Sequence, residues 1–589
     1  MEQKIFQTLN EILATYDIAG QRFDSQDYVA AIKSLPEQEL QKDESQFESV
    51  AFMLQPRGTD ENPFGGYYAP QFTFADQQGN PVYYPSLSTI TPEAVLYWEQ
   101  RYKASNNSLM KMQYAGLVWD FKLRIVNRSY DGDLCCTYVD SMLDVCNNDY
   151  APHPVVTTRI LERLFSISRN RTKSLDMAKI ALRSFEHRHA TDQSVRYWSC
   201  QFLLMLEHKD CFTQAEITGL VEQHEERMKR LMAPGSDGKV NVWALEAQCG
   251  LLADYYNRNQ KKNDVIRVLK VSEEAHKKSF DSHNPLRELA TLDEIQHKYR
   301  HYGLHEEANR LLTEIQSAGH RTTTSMTPQK YEFTIPQEIY DQADEMFGEK
   351  ASSDEERWRN FAVYFIPRRD EEEKALAELA KKYPFKYMLG THMLDGKGRP
   401  QSIIGSYEDD PEGNLVMHIT EKLNFGTFFL GIAVKKMSDI GLLTVDRIMS
   451  DIIEPCPLFE DNSYEVIQQA LEFFVDNKPI LCCHLLVPQI ERAIRNLVEA
   501  SGLSVIKPQK NAAKGFQLIT LDDLLRKDAV EYAFTQDGAL YLRLVLTDQR
   551  SLNIRNNLCH GILPPDTFHS GVAARLLHIL VMIGAVRET

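Results

Sequence analysis

The chain has 589 residues, enough for two to four domains that each bury a core. Its 43% hydrophobic and 25% charged content, with a mean hydropathy of −0.40, is that of a globular protein. A net charge of −17 excludes a surface built throughout to hold nucleic acid.

The opening MEQKIFQTLNEILATYD mixes charged with apolar residues, and no window approaches the roughly eighteen uninterrupted apolar residues of a membrane span. Neither a signal peptide nor membrane attachment is expected, and the reading is a cytoplasmic protein. Ten cysteines occur without a C-x-x-C, which fits reduced thiols better than disulfides or a zinc ribbon. Charge is uneven: residues 484–589 hold 12 Lys and Arg against 10 Asp and Glu, leaving −19 on the remainder.

In chain order, residues 1–45 read as one or two helices, with Ile5, Leu9, Ile12 and Leu13 at helical spacing. Residues 55–92 interleave Pro, Gly and aromatics, an ordered loop with a short hairpin around Gln78-Gly79-Asn80-Pro81. No cation lies between Arg57 and Arg101, so these rings are assigned to packing rather than base stacking. Thr91-Pro92-Glu93 starts a helix, and the pattern stays helical to about 320, including a helix expected over Asp192–His208. Short polar connections between helices of similar length suggest an irregular helical repeat of tetratricopeptide type, with Gly303-Leu304-His305 as one junction.

A polar linker is expected at 319–335, then three helices, then a β-hairpin or three-stranded insert within Met388–Phe429 with turns at Asp395-Gly396 and Asp410-Pro411. Beyond Ser463 the reading is helical: Val466–Asn477, Pro479–Ser501 kinked or restarted at Pro488, a basic loop with Lys507, Lys510 and Lys514, and Leu521–Phe534 closed by a turn at Gln536-Asp537-Gly538. The chain is therefore read as mainly α, in four regions: 1–150, a helical region with the aromatic loop; 151–320, the repeat-like region; 336–462, a mixed middle; and 463–589, a compact helical bundle.

Most chemistry-bearing residue types lack companions. His187-Arg188-His189 diverges on a helix and Cys483-His484 has no partner in sequence, so no metal and no cofactor are expected. Gly235-Ser236-Asp237-Gly238-Lys239-Val240 lacks the Ser or Thr of a phosphate loop. Cys559 is read as a small thiol packed inward.

The exception is Asn553-Ile554-Arg555-Asn556-Asn557-Leu558-Cys559-His560-Gly561, set between the apolar runs Leu540–Leu546 and Val572–Ile583. Asn553 is read as an N-cap accepting from the Asn556 N–H, and Gly561 as the C′ residue ahead of Pro564-Pro565. Asn556 and His560 share a helix face, with Arg555 one residue round. On residue chemistry alone, the cluster is a cap with salt bridges or a site.

The string Arg-Asn-x-x-x-His-Gly, with Thr547-Asp548 before it and Ile562-Leu563-Pro564 after it, resembles the signature of the HEPN superfamily, in its RNxxxHG branch. The helix Leu485–Leu497 is also similar to that branch; Tyr97–Arg101 and Tyr114–Asp120 are so more loosely. The resemblance covers about 483–585 and implies a helical bundle acting as a metal-independent endoribonuclease. His560 would move the proton, Arg555 would hold phosphate, and Asn556 would orient the histidine or the scissile phosphate. Arg492, Arg495, Lys507, Lys510, Lys514 and Arg550 would meet the RNA. The family's composite clefts imply a homodimer through the C-terminal bundle, and the repeat region would take a protein partner or inhibitor in a defence or toxin-type system. A non-cleaving RNA- or nucleotide-binding module and a helical scaffold are the alternatives.

Overall fold

The computed structural model describes residues 6–56, 62–76, 80–129, 133–192, 195, 197–235, 238–281, 283–327, 334–509, 515–562 and 564–587. It is 68% helix and 5% strand, and the strands form only two-stranded antiparallel hairpins. Helices therefore set the position of every residue discussed below. Two compact units emerge: residues up to 280 with 301–304, and residues 281–300 with those from 305 onward.

The first unit contains α1 (Leu9–Tyr16), α2 (Ser25–Lys33), α3 (Glu37–Leu40) and α4 (Asp43–Met53), then β1 (Gln55–Pro56), β2 (Tyr68–Ala69), β3 (Phe72–Ala75) and β4 (Pro81–Tyr84). β1 pairs with β2 and β3 with β4; residues 77–79 of the expected hairpin turn lie outside the described residues. Helices follow as α5 (Pro92–Ala104), α6 (Ser108–Phe121), α7 (Leu134–Asn147), α8 (Pro154–Ser168), α9 (Thr172–His189), α10 (Cys200–Glu207), α11 (Gln214–Leu231), α12 (Val242–Arg258) and α13 (Lys262–Lys278). The Thr91 hydroxyl accepts from the Ala94 N–H, with Pro92 at the first helical position.

The core of this unit is organised around one carboxylate. Glu48 on α4 is fully buried. It accepts hydrogen bonds from the hydroxyls of Tyr28 (2.9 Å), Tyr97 (2.8 Å) and Tyr114 (2.6 Å), and from Arg101 Nε (3.1 Å). Burial first, and the neighbouring Glu48 charge second, hold the Tyr28 and Tyr114 hydroxyls protonated. The helix expected over Asp192–His208 begins only at Cys200. Asp192 is drawn elsewhere: its carboxylate pairs with Arg230 at 2.8 Å and its carbonyl accepts from Arg227. The Trp198 ring lies under the Arg227 guanidinium at 4.8 Å.

In the second unit, α14 (Pro285–His301) and α15 (His305–Ser325) are joined through Gly303 in the left-handed conformation, φ 69°. The polar linker expected from 319 is absent as far as Ser325, because α15 runs through it. Gly319, within α15, meets the backbone of Gly398 so closely that a Cβ on either residue would collide with the other. Then come α16 (Gln337–Phe347), α17 (Asp354–Val363), α18 (Arg369–Lys382), α19 (Pro384–Met388) and the hairpin β5 (Thr391–Leu394)/β6 (Pro400–Ile404).

The β reading of the insert holds only to Ile404. Asp410-Pro411 is a helix start rather than a turn: the Asp410 carboxylate caps the Gly413 N–H and Pro411 occupies the first position. The resulting α20 (Pro411–Asp439) is 29 residues long. It buries Leu415, Val416, Ile419, Leu423, Leu430, Ala433 and Met437, a helical spacing that outweighs the β-leaning composition.

After α21 (Val445–Ile448) come α22 (Asp461–Val475), α23 (Pro479–Ala500), β7 (Ile506–Pro508), β8 (Phe516–Leu518), α24 (Leu521–Leu525), α25 (Asp528–Leu546), α26 (Ile554–Cys559) and α27 (Ser570–Gly584). α23 is one helix through Pro488. The single helix expected over Leu521–Phe534 is α24 followed by the start of α25; the break expected at 536–538 falls at Thr535, φ 64°. Residues 336–462 and 463–589 share a single hydrophobic core. Its axis is α27, buried on every side from Ala573 to Gly584 and packed on α17, α20 and α23.

Two polar groups sit on that buried helix, Arg575 and His578. The Tyr541 hydroxyl lies 2.8 Å from His578 Nδ1. Burial, reinforced by the Arg575 charge, holds the His578 imidazole neutral, with its pKa lowered to about 3. Below pH ~6.5 the unfolded chain takes up a proton that the folded one refuses, so stability should fall with pH from about 6.5 toward 3 by up to ~1.4 kcal/mol per unit. Urea unfolding at several pH values, comparing wild type with His578→Phe, measures this. A wild-type slope identical to that of the variant would contradict it.

Candidate functional site

The motif segment is anchored by the end of α25. Asp548 N–H donates to the Arg543 carbonyl (2.8 Å), and the chain doubles back so that Leu552 N–H donates to the Leu544 carbonyl (3.1 Å). Asn553, buried, enters α26 in the left-handed conformation (φ 49°, ψ 35°), which asparagine tolerates better than most residues. The expected N-cap bond to the Asn556 N–H is therefore absent. In the left-handed geometry Asn553 Oδ1 instead accepts from Asn556 Nδ2 at 2.8 Å, while its carbonyl accepts from the Asn557 N–H.

At the other end His560 caps α26 and Gly561 adopts φ 60°. Gly561 N–H donates to the Leu558 carbonyl (3.1 Å) and Ile562 N–H to the Asn557 carbonyl (3.0 Å), the two bonds of a Schellman closure. Nothing lies within 4 Å of a Cβ built on Gly561, so Gly561→Ala should cost only the backbone penalty, about 1–2 kcal/mol. Urea unfolding measures it; a loss indistinguishable from zero would mean that this turn relaxes freely.

Arg555 is fixed on two sides. Its Nε donates to Glu491 Oε2 (2.9 Å) on α23, and its Nη1 donates to Asn556 Oδ1 (3.0 Å). Glu491 is shared, because its Oε1 accepts from Arg495 Nη2 at 3.0 Å, and Arg495 Nη1 donates on to the Ile519 carbonyl at 3.1 Å. The chain Arg495–Glu491–Arg555–Asn556–Asn553 thus ties α23 to α26 with charge-assisted bonds. Asn556 bonds to Arg555, not to His560, and its amide also donates to the Thr547 carbonyl (3.3 Å). Asn556 thus holds the guanidinium, and of the two roles expected for it, orienting the histidine or the scissile phosphate, the first has no hydrogen bond behind it.

His560 is exposed one turn further on, and its ring makes no hydrogen bond or ion pair with a described residue. Cys559 is also exposed, against the expectation that it packs inward. The short α26 buries Ile554 and half-buries Leu558 against the core, so the next position faces outward.

The residues expected to meet RNA are not gathered into an unpaired basic patch. Arg492 pairs with Glu460, Arg495 with Glu491, Arg550 with Asp548 (2.9 Å) and Lys507 with Asp523 (2.9 Å). The Lys507 ammonium and then the Thr520 hydroxyl hold the Asp523 carboxyl below its ordinary range. Burial resists ionisation of Asp548, but the Arg550 side chain and N–H outweigh it and keep that carboxyl low. Lys507 stands on β7 rather than in a loop; Lys510 and Lys514 lie outside the described residues.

Among the described residues no group of three or more His, Cys, Asp or Glu could hold a metal ion, and no helix is long and apolar enough to cross a membrane. Comparison of the chain with family models, with curated proteins and with solved structures found no match. Sequence reasoning missed Glu491 as the anchor of Arg555. Its only sequence signal was an acid among Arg492, Arg495 and Asn496 on a mostly apolar helix.

Proposed function

We propose that the protein is a metal-independent endoribonuclease of HEPN type, with α22–α27 as its HEPN-like bundle and the helices within 151–320 as a tetratricopeptide-like region that takes a protein partner or inhibitor. The observation carrying this reading is that α26 presents a guanidinium held in place by Glu491 and Asn556, with an exposed imidazole one turn on. In this chemistry an RNA 2′-hydroxyl attacks the adjacent phosphorus and the 5′-oxygen leaves, giving a 2′,3′-cyclic phosphate and a 5′-hydroxyl. His560 moves the proton as general base and acid. Arg555 stabilises the charge that grows on the phosphorane oxygens.

One Arg and one His make a small site, and two copies joined through the C-terminal bundle would bring two sets together. Exposed Ile506, Phe516 and Leu518 on the β7/β8 hairpin supply apolar surface for such a joint. A second reading is an RNA-binding module that does not cut; under either reading Arg492, Arg495, Arg550 and Lys507 already carry carboxylate partners. These pairs weaken the field that a polyanion meets. The test is end-labelled RNA incubated with the full-length protein in EDTA, with product ends assigned chemically. Products ending in cyclic phosphate support the nuclease. Cleavage only on addition of a divalent metal overturns it, and RNA retained intact at saturating protein supports the second reading.

A further inference from the structure

Arg575 is 2% exposed and lies on α27 inside the core. Its Nη2 donates to the Leu423 carbonyl (2.6 Å) and to Thr427 Oγ1 (2.8 Å), both on α20. These are neutral acceptors; among the described residues no carboxylate forms an ion pair with Arg575. A buried cation whose hydrogen bonds are met but whose charge is not is less favourable than one facing an anion.

Arg575 lines a cavity of about 170 Å³ between α20, α27 and the motif segment. Asn424, Thr427 and His569 supply its polar wall, and Ile554, Phe568 and Val572 supply apolar wall. No Asp or Glu lines it, so every ionisable group facing the space is basic. Arg575 also borders a wider cleft of about 1550 Å³.

We propose that this cavity binds a compact organic carboxylate, its anionic end on Arg575 and its apolar body against Ile554, Phe568 and Val572. The carboxylate supplies the counter-charge that the fold omits, and the apolar walls select against a bare hydrated ion. Leu552 and Ile554 line the space and bracket Asn553, which anchors Asn556. An occupant therefore braces the segment that positions Arg555. The site does not depend on the nuclease reading, because binding is measured without RNA.

Thermal unfolding and saturation-transfer NMR on the full-length protein test it, with benzoate as probe, benzamide as its uncharged isostere and inorganic phosphate as the bare oxyanion. Benzoate should raise the melting temperature saturably by several degrees, with benzamide and phosphate each at least tenfold weaker. Arg575→Met should abolish the benzoate response. Val572→Phe, which fills the apolar half and leaves the cation in place, should abolish it too, and decides the matter if Arg575→Met does not fold. No saturable response to benzoate, equal responses to benzoate and benzamide, or a wild-type response in Val572→Phe would each overturn the proposal. A phosphate response as strong as that of benzoate would replace the carboxylate site with a simple oxyanion site.

Discussion

Replacing His560 by alanine is expected to lower RNA cleavage by the full-length protein about 10²–10⁴-fold, the range for loss of a group that transfers the proton in the transition state. The side chain is exposed at a helix end and makes no hydrogen bond to a described residue. The variant should therefore melt within about 0.5 kcal/mol of wild type, so a change in rate cannot be assigned to unfolding. Arg555→Ala should cost about 10²–10³ in rate, as for the loss of one strong donor to a developing oxyanion. Unlike His560→Ala it should also destabilise, because Glu491 and Asn556 lose their shared partner. Arg555→Lys should not rescue: an ammonium cannot meet Glu491, Asn556 and a phosphate in the fork geometry of a guanidinium. Single-turnover cleavage in EDTA measures all three. Unchanged rates in both alanine variants would remove these residues from the chemistry.

The second large effect lies in the first unit. Glu48→Ala should cost about 3–5 kcal/mol, the range for stripping the partner from a buried charge. Three tyrosine hydroxyls and Arg101 Nε converge on that carboxylate at 2.6–3.1 Å. Arg101 also pairs with a second acid, Asp17, at 3.3 Å. Glu48→Gln keeps the shape but puts an N–H₂ where hydroxyls donate, so an intermediate loss is expected. Scanning calorimetry on the full chain should show the transition of the first unit moved down by about 5–10 degrees. A shift of a degree or two would mean that the tyrosines find water.

What the sequence made visible was local chemistry. Thr91-Pro92 announces α5 because a hydroxyl cap and a fixed φ act within three residues. Asp410-Pro411 carries the same kind of signal, yet it reads as a turn because Gly413 and a β-rich run follow. Only the burial of Leu415, Ile419, Leu423 and Leu430 against the core decides for α20. Asn553 misleads for a related reason: asparagine serves equally as an N-cap and as a left-handed residue, and the fold-back onto Leu544 selects the second. Within the site, Arg555 and His560 stand out as residue types. The bond from Arg555 to Glu491 spans 64 positions and is fixed only when α23 packs beside α26. The solitary charge of Arg575 is likewise a property of packing: an arginine between apolar residues leaves open whether a carboxylate meets it.

The burial of α27 on every side also sets an order of events during synthesis. This helix emerges after every other element of the second unit, and α17, α20 and α23 meet one another's apolar faces largely through it. A nascent chain can complete the first unit early, since domains tend to fold as they emerge, but the second must wait with its helices unclosed. Glu491 and Arg555 would then meet late, after α27 has emerged.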